Sequence, residues 1–106
     1  KKVLVTGSIF RFEGQVTTIL PGSGCPCYRC LYPVPPPADL IPLSQQSGVL
    51  GAVAGSIGIL QAIEVVKELL HIGKSLAGSL LVFDAKRVSL EQIQMARDPE
   101  CCLCAP

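Results

Sequence analysis

Two cysteine pairs, Cys27-Tyr28-Arg29-Cys30 and Cys101-Cys102-Leu103-Cys104, constrain this chain more than any other feature. Each pair reads C-x-x-C, a spacing that lets two thiolates converge on one tetrahedral cation across a tight turn. An ion shared by Cys27, Cys30, Cys101 and Cys104 ties the front of the chain to its rear across residues 31–100. At 106 residues the chain is one domain or a piece of one, a size at which such a tie matters. Two other readings stay open. Six cysteines is an even number, which in a small secreted domain suggests disulfides. The opening Lys1-Lys2-Val3-Leu4-Val5 turns polar at Thr6, too short for the apolar stretch of a secretory leader, and the cysteines cluster in place of being scattered. A redox C-x-x-C normally opens a helix after a strand, whereas Pro33 and the prolines after it are expected to forbid a helix here. Structural zinc is therefore the preferred reading. Cys25 and Cys102 fall outside the four-ligand set, although Cys25 could compete for a place in it.

The rest of the chain divides into short segments. Residues 2–7 form an apolar run ended by glycine, Arg11-Phe12-Glu13-Gly14 turns the chain, and residues 15–20 are rich in β-branched side chains, which predicts two strands. Gly22-Ser23-Gly24 reads as a flexible lead into the first cysteine pair, and no phosphate-cradling glycine loop stands in this front section. Seven of the nine prolines lie between Pro21 and Pro42, so the stretch after Cys30 must be extended. It is either a stiff connector or an arm, residues 33–47, that lies across another surface with Leu40, Ile41 and Leu43.

Ser47 is a suitable N-cap for a helix over 48–71, with Gly73 as its stop. Val49, Val53, Ile57, Leu60, Ile63 and Leu70 recur at helical steps and predict the inward face, while Glu64, Lys67, Glu68 and His71 gather on the later turns. A membrane span needs about 20 apolar residues, and Gln61 and Glu64 cut this run short, so the helix is expected to be buried in protein. Gly51, Gly55 and Gly58 cost about 1 kcal/mol each relative to alanine, which predicts another backbone packed close against them. His71 is expected to be a cap or surface residue. Residues 78–84 predict a strand and Lys86-Arg87 a turn. The apolar phase slips within 88–95, since Val88 and Leu90 are even and Ile93 and Met95 odd, which predicts a bulge or bend in the last strand. The order is β-β-knuckle-arm-α-β-β-knuckle, an α/β fold class.

Charge and composition set the outer bounds. A net charge of +1 without a basic run excludes the electrostatic footprint of a nucleic-acid or anionic-membrane binder. Hydrophobic residues make up 49% and charged residues 16%, against about a quarter charged in ordinary soluble domains. Part of the surface is expected to be covered by something else.

Cys27-Tyr28-Arg29-Cys30-Leu31-Tyr32-Pro33, Ser47-Gly48-Val49-Leu50-Gly51, the run Gly55-Ser56-Ile57-Gly58-Ile59-Leu60-Gln61-Ala62-Ile63-Glu64-Val65-Val66-Lys67, and Arg97-Asp98-Pro99-Glu100-Cys101-Cys102-Leu103-Cys104 together resemble the C-terminal half of the MoeB/ThiF family. Gly7-Ser8 and Arg11-Phe12-Glu13-Gly14-Gln15 fit the same family, so the resemblance covers essentially the whole chain. It implies the C-terminal half of a Rossmann-like ubiquitin-activating-enzyme fold, with structural zinc on Cys27, Cys30, Cys101 and Cys104. It further implies a cytoplasmic adenylyltransferase that uses ATP and Mg2+ to activate the C-terminal glycine of a ubiquitin-like sulfur-carrier protein, in molybdopterin, thiamine or tRNA-thiolation sulfur transfer. A homodimer and a sulfurtransferase or rhodanese-like partner or domain are implied as well.

The chain departs from the family pattern in two respects. The family's glycine loop, acidic ribose and magnesium residues and basic phosphate residues belong to an N-terminal half and have no counterpart here, so residues 1–106 alone are expected not to adenylate anything. Some relatives carry a thioester cysteine in the arm, at the place occupied here by Ser44. A serine hydroxyl is a poor nucleophile without an activating base, and none is evident beside it. The alternative is a non-catalytic homologue or subunit acting as a zinc-stapled interaction module.

Overall fold

The computed structural model describes residues 2–21, 24, 26–31 and 48–101. Four strands form one antiparallel sheet in the order β1-β2-β3-β4: β1 (Leu4–Phe10), β2 (Glu13–Ile19), β3 (Ser79–Asp84) and β4 (Ser89–Gln94). A one-turn helix, α1 (Tyr28–Leu31), follows β2, and a 20-residue helix, α2 (Gly51–Leu70), precedes β3. The chain is α/β as expected, but every strand pairing in its sheet is antiparallel: β1–β2 and β3–β4 are hairpins, and β2 and β3 meet antiparallel across the long connection. In the first hairpin Phe10 pairs with Glu13, and Arg11 takes a left-handed φ of 57° at the turn. In the second, Asp84 pairs with Ser89, with the Lys86 amide donating to Asp84 Oδ1 at 3.0 Å. The Ala85 amide donates to the Phe12 carbonyl at 2.8 Å and joins the two tips.

Helix α2 lies on one face of β1 and β2. Val16, Val53, Ile57 and Leu76 form the buried centre, flanked by Val5, Ile9, Leu60, Leu81 and Phe83. The close approach rests on the sheet's glycines. A Cβ on Gly14 would stand 2.4 Å from Ile57 Cγ1 and Cδ1, and one on Gly7 would stand 2.6 Å from Gln61 Cδ. The backbone expected against the helix's own glycines is not among the described residues: beyond the helix's own backbone, a Cβ on Gly51, Gly55 or Gly58 would meet no described atom within 4 Å.

Several other expectations are corrected. The helix begins at Gly51, and Leu50 occupies the cap position without a side-chain hydrogen bond; Ser47, the expected cap, lies outside the described residues. At the other end His71, ahead of Gly73, takes the left-handed conformation, and its amide donates to the Lys67 carbonyl. The inward stripe is Val53, Ile57, Leu60 and Glu64, while Val49, Ile63 and Leu70 point outward. The last strand has no bulge: its register runs unbroken from Ser79↔Gln94 to Asp84↔Ser89. The phase slips because Leu90 and Ile93 stand on opposite faces of an edge strand, 56% and 47% exposed, while Val88, with φ of 50°, belongs to the turn. A helix also follows Cys27 despite the prolines downstream, since a single turn fits ahead of Pro33. No helix among the described residues is long and apolar enough to cross a membrane.

Candidate metal centre

Both strand exits that lead to cysteines lie at the same end of the sheet. The C-terminus of β2 runs through Pro26 to Cys27, and the C-terminus of β4 runs through residues 95–100 to Cys101. The antiparallel pairing of Ser79 with Gln94 puts these exits side by side. In the first knuckle the Cys30 amide donates to the Cys27 carbonyl at 3.1 Å, folding both thiols to one side. In the second, Asp98 Oδ1 accepts from the Glu100 amide at 2.9 Å and the Asp98 carbonyl accepts from the Cys101 amide at 3.1 Å. Pro99 lacks an N–H, so the turn takes its donor from Glu100.

The result is a convergence of three sulfurs from residues up to 74 positions apart. Cys27 Sγ lies 3.8 Å from Cys30 Sγ and 3.5 Å from Cys101 Sγ. Cys101 is buried and the other two are half-buried. These separations exclude a disulfide among the three. A disulfide holds its sulfurs about 2.0 Å apart, whereas two thiolates about 2.3 Å from a tetrahedral ion stand about 3.8 Å from each other. All three ligand atoms fall within 4.8 Å of one another, and none of the three cysteines is in a disulfide. The site therefore fits a metal ion held by thiolates. One polar contact reinforces it: the Asp98 amide donates to Cys30 Sγ at 3.4 Å. Cys104, the fourth expected ligand, lies outside the described residues, as do Cys25, Cys102, Ser44 and the arm with Leu40, Ile41 and Leu43.

The second concentration of polar groups was not legible in the sequence. Glu64, assigned to the polar turns of the helix, is 5% exposed and points into the protein. Its Oε1 accepts from the Leu76 amide at 3.1 Å and from Thr18 Oγ1 at 3.4 Å, and its Oε2 pairs with Lys67 Nζ at 2.5 Å. Thr17, its side chain on the other face of β2, donates from Oγ1 to the Ser79 carbonyl at 2.6 Å. Glu64 thus joins the helix to β2 and to the segment leading into β3, a structural clamp whose partners occupy its acceptors. On the opposite sheet face a shallow cavity of about 260 Å³ is lined by Thr6, Ser8, Gln15, Thr17 and Tyr28. Hydroxyls and an amide supply its polarity, with no carboxylate, imidazole or amine for acid–base work.

Residues 1–104 match the model of the ThiF family. The chain belongs to that family. Among curated proteins it is 49% identical over 102 residues to the adenylyltransferase and sulfurtransferase MOCS3 of Sus scrofa, covering 95% of this chain and 22% of that protein. It is 42% identical over 106 residues to the MOCS3 of Drosophila virilis, covering 99% of this chain and 24% of that one. The sulfur carrier protein adenylyltransferase of Thermus thermophilus is 44% identical over 107 residues, covering 97% of this chain and 40% of its relative. The chain thus spans less than half the length of these relatives. The crystal structure of E. coli MccB with MccA-N7isoASN superposes with a TM-score of 0.74 over 96% of this chain and 32% of that one; at 15% identity this likeness concerns the fold.

Proposed function

We propose that residues 1–106 are the C-terminal, zinc-binding half of an ATP-dependent adenylyltransferase that activates the C-terminal glycine of a ubiquitin-like sulfur-carrier protein. The observation that carries this reading is the convergence of Cys27, Cys30 and Cys101 in a ThiF-family chain whose curated relatives are named as adenylyltransferases. Zinc is the ion of choice for an all-thiolate tetrahedral set, and Cys104 completes it. The ion's chemistry here is structural, with no position left open for a substrate once four thiolates bind.

The exposed side of α2 supports the division into halves. Ile59, Ile63, Val66 and Leu70 form an apolar stripe directed away from the sheet, a surface that ordinary soluble proteins cover. In this proposal the N-terminal half covers it and brings the groups that bind ATP and Mg2+. The carrier's terminal carboxylate attacks the α-phosphorus of ATP and pyrophosphate leaves; a sulfur nucleophile on a separate sulfurtransferase or rhodanese-like donor then attacks the acyl carbon of the adenylate and displaces AMP. Catalysis of this kind is alignment and charge neutralisation. The present half supplies the pinned scaffold and, through residues 33–47, an arm over the carrier's tail. Because Ser44 stands where some relatives hold a thiol, the reaction stops at the adenylate without a thioester on this chain. The enzyme works in the cytoplasm as a homodimer.

The test is ATP–pyrophosphate exchange by the intact protein with candidate carriers ending in glycine. Exchange that requires both the carrier and its terminal glycine, with no thiol-labile conjugate on non-reducing gels, is expected. Carrier-independent exchange, or none with any carrier, would overturn the assignment.

A further inference from the structure

Asp98 makes contact with both knuckles at once. Its backbone N–H donates to Cys30 Sγ, its carbonyl accepts from the Cys101 amide, and its side-chain Oδ1 accepts from the Glu100 amide. These three bonds have separable roles. The carboxylate bond to Glu100 closes the turn, the carbonyl bond to Cys101 sets the direction in which that cysteine leaves it, and the amide bond to Cys30 fixes the turn against the other knuckle. The sequence between β4 and Cys101 contains no other residue with this combination among the described hydrogen bonds. Cys101 approaches Cys27 to 3.5 Å without regular secondary structure of its own, so its aim depends on this turn.

We propose that Asp98 is the positioning residue of the metal centre, holding Cys101 in register with Cys27 and Cys30 before the ion arrives and donating its amide to the Cys30 thiolate afterwards. The proposal rests on the metal reading given above. A hydrogen bond to a thiolate steadies the ligand's orientation, and loss of an outer partner of this kind typically weakens metal affinity by about 10- to 100-fold. The side chain matters here as an acceptor, so an amide oxygen should replace it and a methyl group should not.

The experiment uses the intact protein, stripped and reloaded with Zn2+ in competition with a chromophoric chelator, and in parallel with Co2+ to read the thiolate-to-cobalt charge-transfer band. Wild type is expected to bind one ion per chain with that band. D98N should stay close to wild-type affinity, D98S should fall between, and D98A should lose 10- to 100-fold while keeping the 1:1 stoichiometry. If D98A does not accumulate as folded protein, the ranking is read from D98N against D98S. Affinity unchanged in D98A and D98S, in a wild type that binds metal, overturns the role of Asp98 and leaves the metal centre standing. Equal losses in D98N and D98A also overturn it, since charge and not turn geometry would then govern. A wild type that takes up no ion overturns the metal reading itself.

Discussion

Glu64 offers the sharpest test of how the described elements are joined. In Glu64→Ala the Leu76 amide loses its acceptor inside the protein, and a buried group left unsatisfied costs about 1–3 kcal/mol. Removing the one buried methylene beyond Cβ adds about 0.8 kcal/mol. The Thr18 hydroxyl, at 3.4 Å, is a weaker bond and can turn elsewhere. The pair with Lys67 adds little, because the lysine side chain is 21% exposed and solvent screens it; such pairs contribute about 0–1 kcal/mol. Glu64→Ala should therefore destabilise by about 2–4 kcal/mol, a large part of the 5–15 kcal/mol typical of a domain. Glu64→Gln keeps the stem and an acceptor oxygen for Leu76 and should cost only about 1 kcal/mol, as should Lys67→Ala. The assay is urea unfolding of the intact protein in zinc-replete buffer, read as a shift in midpoint at constant slope. Equal losses for the glutamine and alanine variants would refute the reasoning, because the carboxylate's charge and not its acceptor geometry would then hold the clamp.

Two further predictions concern the faces of α2. Gly14→Ala places a methyl against Ile57 and should destabilise by about 1–3 kcal/mol; combined with Ile57→Ala, the double variant should be at least about 1 kcal/mol more stable than the sum of the single losses, measured by the same unfolding cycle. Additive losses would mean that the helix does not sit directly on that glycine. On the outer face, Ile63→Glu should cost the intact protein more than about 2 kcal/mol if the N-terminal half covers the stripe, whereas a substitution at a solvated position stays within about 0.5 kcal/mol.

The sequence was informative wherever local pattern and physical cause coincide. The two hairpins follow from β-branched runs separated by turns, and the C-x-x-C spacing singles out Cys27, Cys30 and Cys101, whose sulfurs lie within 4.8 Å of one another. It failed where the cause is tertiary. Glu64 carries a charge and so was counted outward, but its acceptors are satisfied by Thr18 and the Leu76 amide, which lie 46 and 12 positions away. Leu90 and Ile93 break the alternation because β4 is an edge strand that buries neither face, and Val88 lies outside it in a left-handed conformation that a β-branched residue does not advertise. The glycines were legible only in part. Those in the helix suggest a tight contact that no described residue makes, and among the described residues the close approach is at Gly7 and Gly14, where a strand glycine faces a helix residue that no periodicity argument pairs with it.

These features bear on a single weak seam. Each hairpin pairs along the length of its strands, but the ladder between β2 and β3 runs only from Glu13↔Asp84 to Val16↔Leu81. Beyond Val16 the backbone pairing gives out and side chains take over. Thr17 bonds to the Ser79 carbonyl, and Glu64 links Thr18 to the Leu76 amide. The three sulfurs lie past the same end, since β2 leaves toward Cys27 there and β4 leaves toward Cys101. In the proposed centre an ion binds the converged thiolates of the folded chain and not the separated ones of the unfolded chain, so it stabilises the fold by linkage. Both it and the clamp at Glu64 act where the sheet has no ladder of its own. A long connection carrying α2 separates the two hairpins in sequence. Closing their junction from the side therefore keeps both hairpins in one sheet although their own ladder spans only four residue pairs.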